Sequence, residues 1–358
     1  MLNNASRRTV RRFVSTGFFV LSALVSFAAQ GETLDCPAST TLEQLIDCVS
    51  LQMPQDGSGG FMPPNSVQQA DMQAVVQRML GGECGFELPA SLAANMAIRT
   101  MTDASNSRDY CVLMEVASTV MPGTVDKGWG TFVTYPQATR EVSHHAPHPK
   151  YSTKTTGTSG DSYTERETIR IFKLTDSRSF LMAGARRSAN HVSSTCQSKA
   201  WMSDVAHDVD NLFFPANRAM QAFYGTRDWT AIQWHGKAAT SCANDMFLSN
   251  GLNIAPPAGS KVHTLHAAIQ AMMPAWTVEM PGDSTCSLSG ATNVEGRLLN
   301  GVSPAKVCST SAKTATQQFI HIEQTVGIIG NDLDGTSAAW AMAVNDTFKT
   351  ATTTSAGK

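Results

Sequence analysis

The sequence carries little charge, and neither sign is in clear excess. Only 16% of its 358 residues are charged, with 27 basic and 29 acidic side chains and a formal net charge of −2. Four arginines stand in the first 28 residues, so the remainder has 23 basic and 29 acidic side chains. A mildly acidic chain lacks the electrostatic attraction to phosphate backbones on which nucleic-acid binding depends. We therefore expect no nucleic-acid partner.

A C-x-x-C pair is absent from the sequence, and no internal repeat is visible. Without such pairs, neither a zinc knuckle nor a thioredoxin-like redox site is indicated. The eight cysteines are an even number, which in an exported chain indicates disulfide bonds. Sequential pairing is the simplest connectivity, and it predicts the bonds Cys36–Cys48, Cys84–Cys111, Cys196–Cys242 and Cys286–Cys308.

The first thirty residues have the order of a secretory signal peptide. A basic segment that ends at Arg12 precedes the apolar run 13–29, and cleavage after Ala28 or Gly31 satisfies the preference for small residues. A single membrane anchor is the alternative, but the run is shorter than the roughly 20 residues of a spanning helix. No second stretch reaches that length. We expect a secreted or periplasmic protein with no stable membrane insertion after signal cleavage.

Hydrophobic spacing divides the rest of the chain into two regions. Residues 31–125 have apolar side chains at helical spacing, which predicts a helical, disulfide-tied region packed on the body. Residues 126–350 alternate strand-like apolar runs with helical segments, which predicts an α/β catalytic domain with a largely parallel sheet. Residues 351–358 are predicted to be a flexible tail. The predicted strands are 131–134, 141–143, 179–183, 229–234, 276–280 and 318–322, and the predicted helices are 165–174, 203–224, 261–273, 293–300 and 337–350.

Histidines follow two of the predicted strands, at the sheet edge where α/β proteins bind their ligands. His144, His145 and His148 fall within five residues and are held by prolines. Imidazole is the usual ligand of zinc, so we predict a zinc ion held by His145, His148 and His235. A solvent-exposed histidine-rich turn is the alternative for this loop. An acidic residue is also able to replace one histidine as ligand, and the nearby acids are Asp161, Glu165 and Glu167.

Other strand ends carry residues suited to hydrolysis. Glu323 closes an apolar strand, where its carboxylate is predicted to act as the general base for attack on a carbonyl. His321 lies two residues earlier, on the same face, and is predicted to assist it. Guanidinium groups after a strand are suited to bind a substrate carboxylate. The predicted substrate-binding residues are Arg186, Arg187, Asn190 and Arg297.

This strand-end pattern resembles the group that contains zinc carboxypeptidases, N-formylglutamate amidohydrolases and phage-type poly-γ-glutamate hydrolases. The resemblance covers about residues 130–345. It implies a three-layer α/β/α sandwich around a mixed sheet, an early metal-binding loop, a later histidine ligand, an Asn/Arg substrate clamp and a late glutamate base. The motifs that carry it are His145-x-x-His148, Arg186-Arg187 to Asn190, Gln233-Trp-His235-Gly, Asn293-Val-Glu-Gly-Arg297 and Phe319-Ile-His-Ile-Glu323.

We therefore predict an exported zinc-dependent hydrolase that cleaves an amide bond in a carboxylate-bearing substrate. A peptide, a cell-wall peptide and polyglutamate all fit that description. A second interpretation is a serine esterase that uses Ser284 in the segment Gly282-Asp283-Ser284, although a turn explains this segment better. A third is a non-catalytic secreted protein that binds a metal or another ligand.

Overall fold

A computed structural model describes residues 39–121, 123–151 and 161–349 of the chain. The predicted signal peptide and the predicted tail lie outside the described residues, and so does Cys36 with its predicted bond to Cys48. Within the described ranges, no helix is both long enough and apolar enough to cross a membrane.

Helices and strands alternate along most of the described chain. The helices are α1 (Leu42–Gln52), α2 (Ser66–Leu80), α3 (Ala90–Ala93), α4 (Thr164–Leu174), α5 (Phe213–Tyr224), α6 (Lys261–Met272), α7 (Val294–Leu299), α8 (Val326–Asn331) and α9 (Leu333–Thr347). The strands are β1 (Met96–Asp103), β2 (Arg108–Glu115), β3 (Thr131–Thr134), β4 (Arg140–Ala146), β5 (Ser177–Met182), β6 (Thr230–Lys237), β7 (Met246–Ser249), β8 (Val278–Glu279) and β9 (Phe319–Thr325).

The nine strands form one mixed sheet in the order β1-β2-β3-β5-β4-β6-β9-β7-β8. Strands β5, β4, β6 and β9 are parallel neighbours at its centre. Antiparallel pairing joins β1, β2, β3 and β5 on one side and joins β7 to β9 on the other. The α/β class and the mixed sheet predicted from the sequence are therefore confirmed.

Helices cover both faces of the sheet. Successive side chains of each strand point to opposite sides, so the buried apolar residues of the central strands need packing partners on both faces. Ala231 and Phe319 pack with α2 and α5 on one face. Ile232 and Ile320, the next residues, pack with α6 and α9 on the other face. Helices α1 and α4 continue that second layer over the edge formed by β2, β3 and β5. The result is a three-layer arrangement with helices on both sides of the sheet.

Two segments differ from the elements predicted from the sequence. The region predicted as helical contains the hairpin β1–β2, whose eight residue pairs extend the sheet. The predicted helix 203–224 begins only at Phe213, because Asn211 Oδ1 accepts a hydrogen bond from Phe214 N and Pro215 lies in the first turn. The division into a packed N-terminal region and a separate catalytic domain stays a prediction.

Three disulfides join described residues. The predicted bond Cys84–Cys111 is confirmed. The predicted bonds Cys196–Cys242 and Cys286–Cys308 are wrong, because the structure pairs Cys196 with Cys308 and Cys242 with Cys286. Sequential pairing fails here because the fold brings the segment before α5 against the segment after α7. The Cα atoms of Cys196 and Cys308 are 4.8 Å apart, although 112 residues separate them in sequence.

Candidate metal centre

The carboxyl ends of β4, β6 and β9 meet at one edge of the sheet, and most of the candidate residues lie there. In the register of β6 and β9, His235 stands beside Glu323 and Gln233 stands beside His321. Residues two apart in a strand share a face, so these four side chains all project to the same side of the sheet. His148 follows the end of β4 by two residues.

His148, Asp161 and His235 form a compact group of donor atoms. One ring nitrogen of each histidine and one carboxylate oxygen of Asp161 all lie within 4.8 Å of one another. Nδ1 of His148 is 3.6 Å from Asp161 Oδ1, and Nδ1 of His235 is 3.5 Å from the same oxygen. Two imidazoles and one carboxylate are a donor set that suits zinc and leaves a coordination position for water or substrate. The side chains present therefore fit a zinc ion.

A second carboxylate fixes the ring of His148. Asp204 Oδ1 lies 2.8 Å from His148 Nε2, so Nδ1 is the nitrogen that faces Asp161. Burial by itself lowers the pKa of His148, but Asp204 and Asp161 outweigh it and raise that pKa to about 9. Burial raises the pKa of Asp161, but His148 and His235 hold it well below its usual range. The carboxylates of Asp161 and Asp204 thus attract positive charge to the position of the His148 ring.

His321 and Glu323 continue the group on β9. The rings of His235 and His321 have their centroids 4.4 Å apart, and His321 Nε2 lies 3.7 Å from Glu323 Oε1. Burial, with the nearby Asp161 carboxylate, raises the pKa of Glu323 to about 8. Burial also lowers the pKa of His321 well below its usual range. Its Nδ1 is buried and has no hydrogen-bond partner among the described residues.

His145 and His144 lie away from this group. His145 belongs to β4, and its ring packs edge-on against Phe213 with the centroids 5.6 Å apart. The ring of His144 points to the opposite face, where its Nδ1 accepts a hydrogen bond from Trp234 Nε1 at 3.2 Å. The structure therefore brings together two of the three histidines predicted as ligands. Asp161, one of the acidic alternatives, takes the third place.

The predicted substrate-binding residues separate in the same way. Arg187 lies at the group, with Nη1 3.6 Å from Asp161 Oδ2, and its side chain is 53% exposed. Arg186 lies 3.5 Å from Gln55 Oε1 and lines a smaller pocket together with Arg187, His148 and Asp161. Asn190 donates a hydrogen bond from Nδ2 to the carbonyl of Phe61. Of these three residues, Arg187 is the one in contact with the histidine group.

Arg297 is engaged by the backbone. Its guanidinium donates hydrogen bonds to the carbonyls of Ala291, Val307 and Cys308, and its side chain is buried. These contacts fix the ends of the loops around α7. The arginine therefore holds one wall of the site together and is not exposed to a substrate carboxylate.

The remaining acids and Ser284 also have structural partners. Glu165 accepts a hydrogen bond from the Lys150 backbone, and Glu167 accepts one from the side chain of Gln324. Ser284 Oγ accepts from the Cys286 backbone within a turn. Among the described residues, the serine is thus not seen to meet a histidine, and its segment has the turn conformation that its sequence predicts.

A cavity of about 560 Å³ opens over the group. The cavity is lined by the segment Ser287 to Asn293, and Arg187 and Lys237 also line it. Lys237 donates hydrogen bonds to Thr325 Oγ1 and to the carbonyls of Cys242 and Asn244. Its ammonium group is therefore already satisfied by the protein, whereas Arg187 remains half exposed.

Three residues near the histidines have no predicted role at the site, although Gln233 and Asn293 stand in motifs that carry the family resemblance. Asp204 fixes His148, Gln233 lies next to His235, and Asn293 bonds to Gln233. Gln233 is two residues from His235 in a strand, so its side chain necessarily shares that face. That spacing is a second signal for Gln233, whereas the contact of Asp204 with His148 is seen only in the structure.

Comparisons with known proteins reveal distant similarity in structure. No protein-family model matches the chain, and no curated protein sequence matches it. The gene product Atu2144 from Agrobacterium tumefaciens aligns at 11% identity and a TM-score of 0.32, over 58% of this chain and 91% of that one. A metallo-carboxypeptidase from Pseudomonas aeruginosa, solved with (2-guanidinoethylmercapto)succinic acid, aligns at 13% identity and a TM-score of 0.34, over 80% of this chain and 70% of that one.

Proposed function

We propose that the chain is a zinc-dependent hydrolase that cleaves an amide bond in a carboxylate-bearing substrate. The observation that carries the proposal is the convergence of His148, Asp161 and His235 under an open cavity. A bound zinc ion supplies a Lewis acid that polarises a carbonyl group and acidifies water. The remaining chemistry belongs to the side chains around the group. Secretion or export to the periplasm is part of the same proposal, because the disulfides suit an oxidising compartment.

Glu323 is the proposed proton acceptor. Its carboxyl group lies beside His321 and faces the cavity, and burial raises its pKa to about 8. A carboxylate whose pKa is close to the working pH is a stronger base than an exposed one, and once protonated it is able to pass the proton to a leaving amine. His321 is neutral there and is proposed to orient the carboxylate.

Arg187 is the proposed binding group for a substrate carboxylate. It lines the cavity next to Asp161 and His148, and about half of its side chain remains exposed. A guanidinium is able to hold a carboxylate through two parallel hydrogen bonds. Peptides, cell-wall peptides and polyglutamate all present such a group. The proposal gives this role to Arg187 and not to Arg186, Asn190 or Arg297.

The first prediction tests the ligand set by counting zinc. The purified protein should hold about one zinc ion per chain, and His148→Ala should lose it because two donors remain. His145→Gln is the matched control, since it changes a buried histidine of the same segment that lies against Phe213. It should keep its zinc. Loss of zinc in His145→Gln with retention in His148→Ala would contradict the proposed ligands.

The same preparations test the catalytic role of Glu323. Glu323→Gln should keep its zinc and lose at least about 100-fold of the hydrolysis rate, since general base catalysis contributes that much or more. Release of amine from acidic peptides, cell-wall peptides and polyglutamate is the measurement. Zinc-loaded wild-type protein that cleaves none of these substrates would argue for the non-catalytic binding protein instead. Near-normal activity of Glu323→Gln would remove the glutamate from the mechanism.

A further inference from the structure

A chain of buried amides connects His235 to the start of α7. Gln233 Oε1 lies 3.3 Å from His235 Nε2, and it accepts a hydrogen bond from Asn293 Nδ2 at 2.6 Å. Gln233 Nε2 faces Glu295 Oε2 at 3.4 Å. Gln233 and Glu295 are fully buried and Asn293 is nearly so. Buried polar groups of this kind are almost always hydrogen-bonded.

The backbone of α7 decides which way the first amide points. Asn293 is the N-cap residue of that helix, and its Oδ1 accepts a hydrogen bond from Gly296 N at 2.8 Å. A backbone N–H is always a donor, so the group that faces it must be the amide oxygen. The amide nitrogen of Asn293 consequently points the other way, toward Gln233. This orientation needs no assumption about amide flips.

The orientation passes from Asn293 to Gln233 and from there to His235. Because Asn293 presents N–H groups, Gln233 must present its oxygen, and the same oxygen faces His235 Nε2. Gln233 therefore gives Nε2 of His235 an acceptor, while Asp161 Oδ1, 3.5 Å from Nδ1, is a competing acceptor for the single proton of the neutral ring. The fixed oxygen of Gln233 shifts that competition toward Nε2 and so frees the lone pair of Nδ1.

We propose that Gln233, locked by the helix cap Asn293, is the positioning residue that shifts His235 toward the tautomer protonated at Nε2, with Nδ1 free to bind a metal ion. The inference rests on the proposed zinc site and adds the device that prepares it. Glu295 completes the lock, because it accepts from the amide nitrogen of Gln233 and so opposes a flip of that amide. Partners that orient a ligating histidine typically change metal affinity by about 10- to 100-fold when they are removed.

Selective ¹⁵N labelling of histidine tests the tautomer in the metal-free protein. Wild type should show a larger fraction of His235 protonated at Nε2 than a variant in which Gln233 no longer presents its oxygen. Asn293→Asp keeps the helix-capping oxygen but replaces the N–H donor with a second oxygen, so at pH 8 Gln233 should flip and present its N–H groups. The His235 signal should then change to the form protonated at Nδ1. An unchanged tautomer in this variant would overturn the proposal.

Zinc affinity, measured by competition with a chelator, supplies the second readout. Gln233→Met should weaken zinc binding by about 10- to 100-fold, and Gln233→Glu should recover part of it because an acceptor oxygen returns. Gln324→Met is the matched control: it removes a buried glutamine of the neighbouring strand, which bonds to Glu167 and Trp340. Equal losses of affinity in both methionine variants would reduce Gln233 to a packing role. If wild type binds no zinc, the proposed function fails, and the tautomer experiment still tests the lock.

Discussion

Single side chains at the cavity differ in how much of their hydrogen-bonding capacity the protein itself uses. Arg187 Nη1 is 3.3 Å from His148 Nδ1 and 3.6 Å from Asp161 Oδ2, yet its side chain is 53% exposed. Arg186, its neighbour, has its own long contact of 3.5 Å with Gln55. Both arginines lie in the turn that follows β5 and line a small pocket beside His148 and Asp161. Of the two, Arg187 is the one that contacts His148 and Asp161.

This difference predicts unequal effects of two matched substitutions. Arg187→Met should raise KM for a carboxylate-bearing substrate by about 10- to 100-fold, because a hydrogen bond to a charged group contributes about 1.5–3 kcal/mol. Arg186→Met should change KM little. Initial rates should be measured with a substrate that carries a free carboxylate and with its amidated form. Equal losses in both variants, or an equal loss on the amidated substrate, would contradict the assignment.

The sequence predicts part of this site because some side-chain directions are local properties. His235, His321 and Glu323 stand at alternating positions near strand ends, so their common face follows from the strand period. The choice between His145 and Asp161 does not follow in this way. His145 is still inside β4 and its direction is set by the sheet, whereas Asp161 lies well beyond β4 along the chain. No sequence spacing dictates where such a residue returns to the site.

At the scale of elements, a buried hydrogen-bonded row joins α4, β9 and α9. Gln324 Nε2 donates to Glu167 Oε2 at 2.5 Å, and Trp340 Nε1 donates to Gln324 Oε1 at 2.6 Å. Burial raises the pKa of Glu167 to about 8. The folded protein thus holds a proton on this carboxyl group at neutral pH, while the unfolded chain releases it above its ordinary, lower pKa.

The row makes the stability of the layer depend on pH. A folded-state pKa raised above the unfolded one contributes stability that is complete at acidic pH and is lost as the pH rises through about 8. In Glu167→Gln this loss disappears, so the decline in unfolding free energy between pH 5 and 8 should be smaller by up to roughly 1 kcal/mol per pH unit. Urea unfolding at a series of pH values is the measurement. Glu87→Gln, at an exposed position, is the control. If the unfolding free energies of wild type and Glu167→Gln run parallel across this pH range, Glu167 is not a buried protonated carboxyl group.

Elements themselves are predictable where one face is buried and the period is clear. Strands β3, β4, β5, β6 and β9 and helices α4, α6 and α7 are confirmed close to their predicted bounds. The hairpin β1–β2 is missed because it follows helices in a region of helical spacing and pairs by long-range contact with β3. Strand β7 has four buried residues and no alternation, so no period distinguishes it from other apolar segments.

At the scale of the whole molecule, the disulfides connect distant parts of the chain. Cys196–Cys308 closes a segment of 112 residues and joins the region before α5 to the region after α7. Cys308 also offers its carbonyl to Arg297 of α7, the helix that Asn293 caps. Cys84–Cys111 closes only 27 residues and ties the end of α2 to β2. The first bond therefore supports the wall of the candidate metal centre, whereas the second supports the edge of the sheet.

Removing each disulfide in turn should distinguish its effect on the unfolding free energy from its effect on zinc binding. In the chain-entropy account, replacing both cysteines of Cys196–Cys308 with alanine should lower the unfolding free energy by about 4–5 kcal/mol, against about 3–4 kcal/mol for Cys84–Cys111. Because only the first bond anchors the region around α7, only its loss should also weaken zinc binding in the protein that remains folded. Denaturant unfolding and chelator competition on the two double variants give both quantities. If zinc affinity falls equally in both, the metal centre depends on global stability and not on the anchoring of α7.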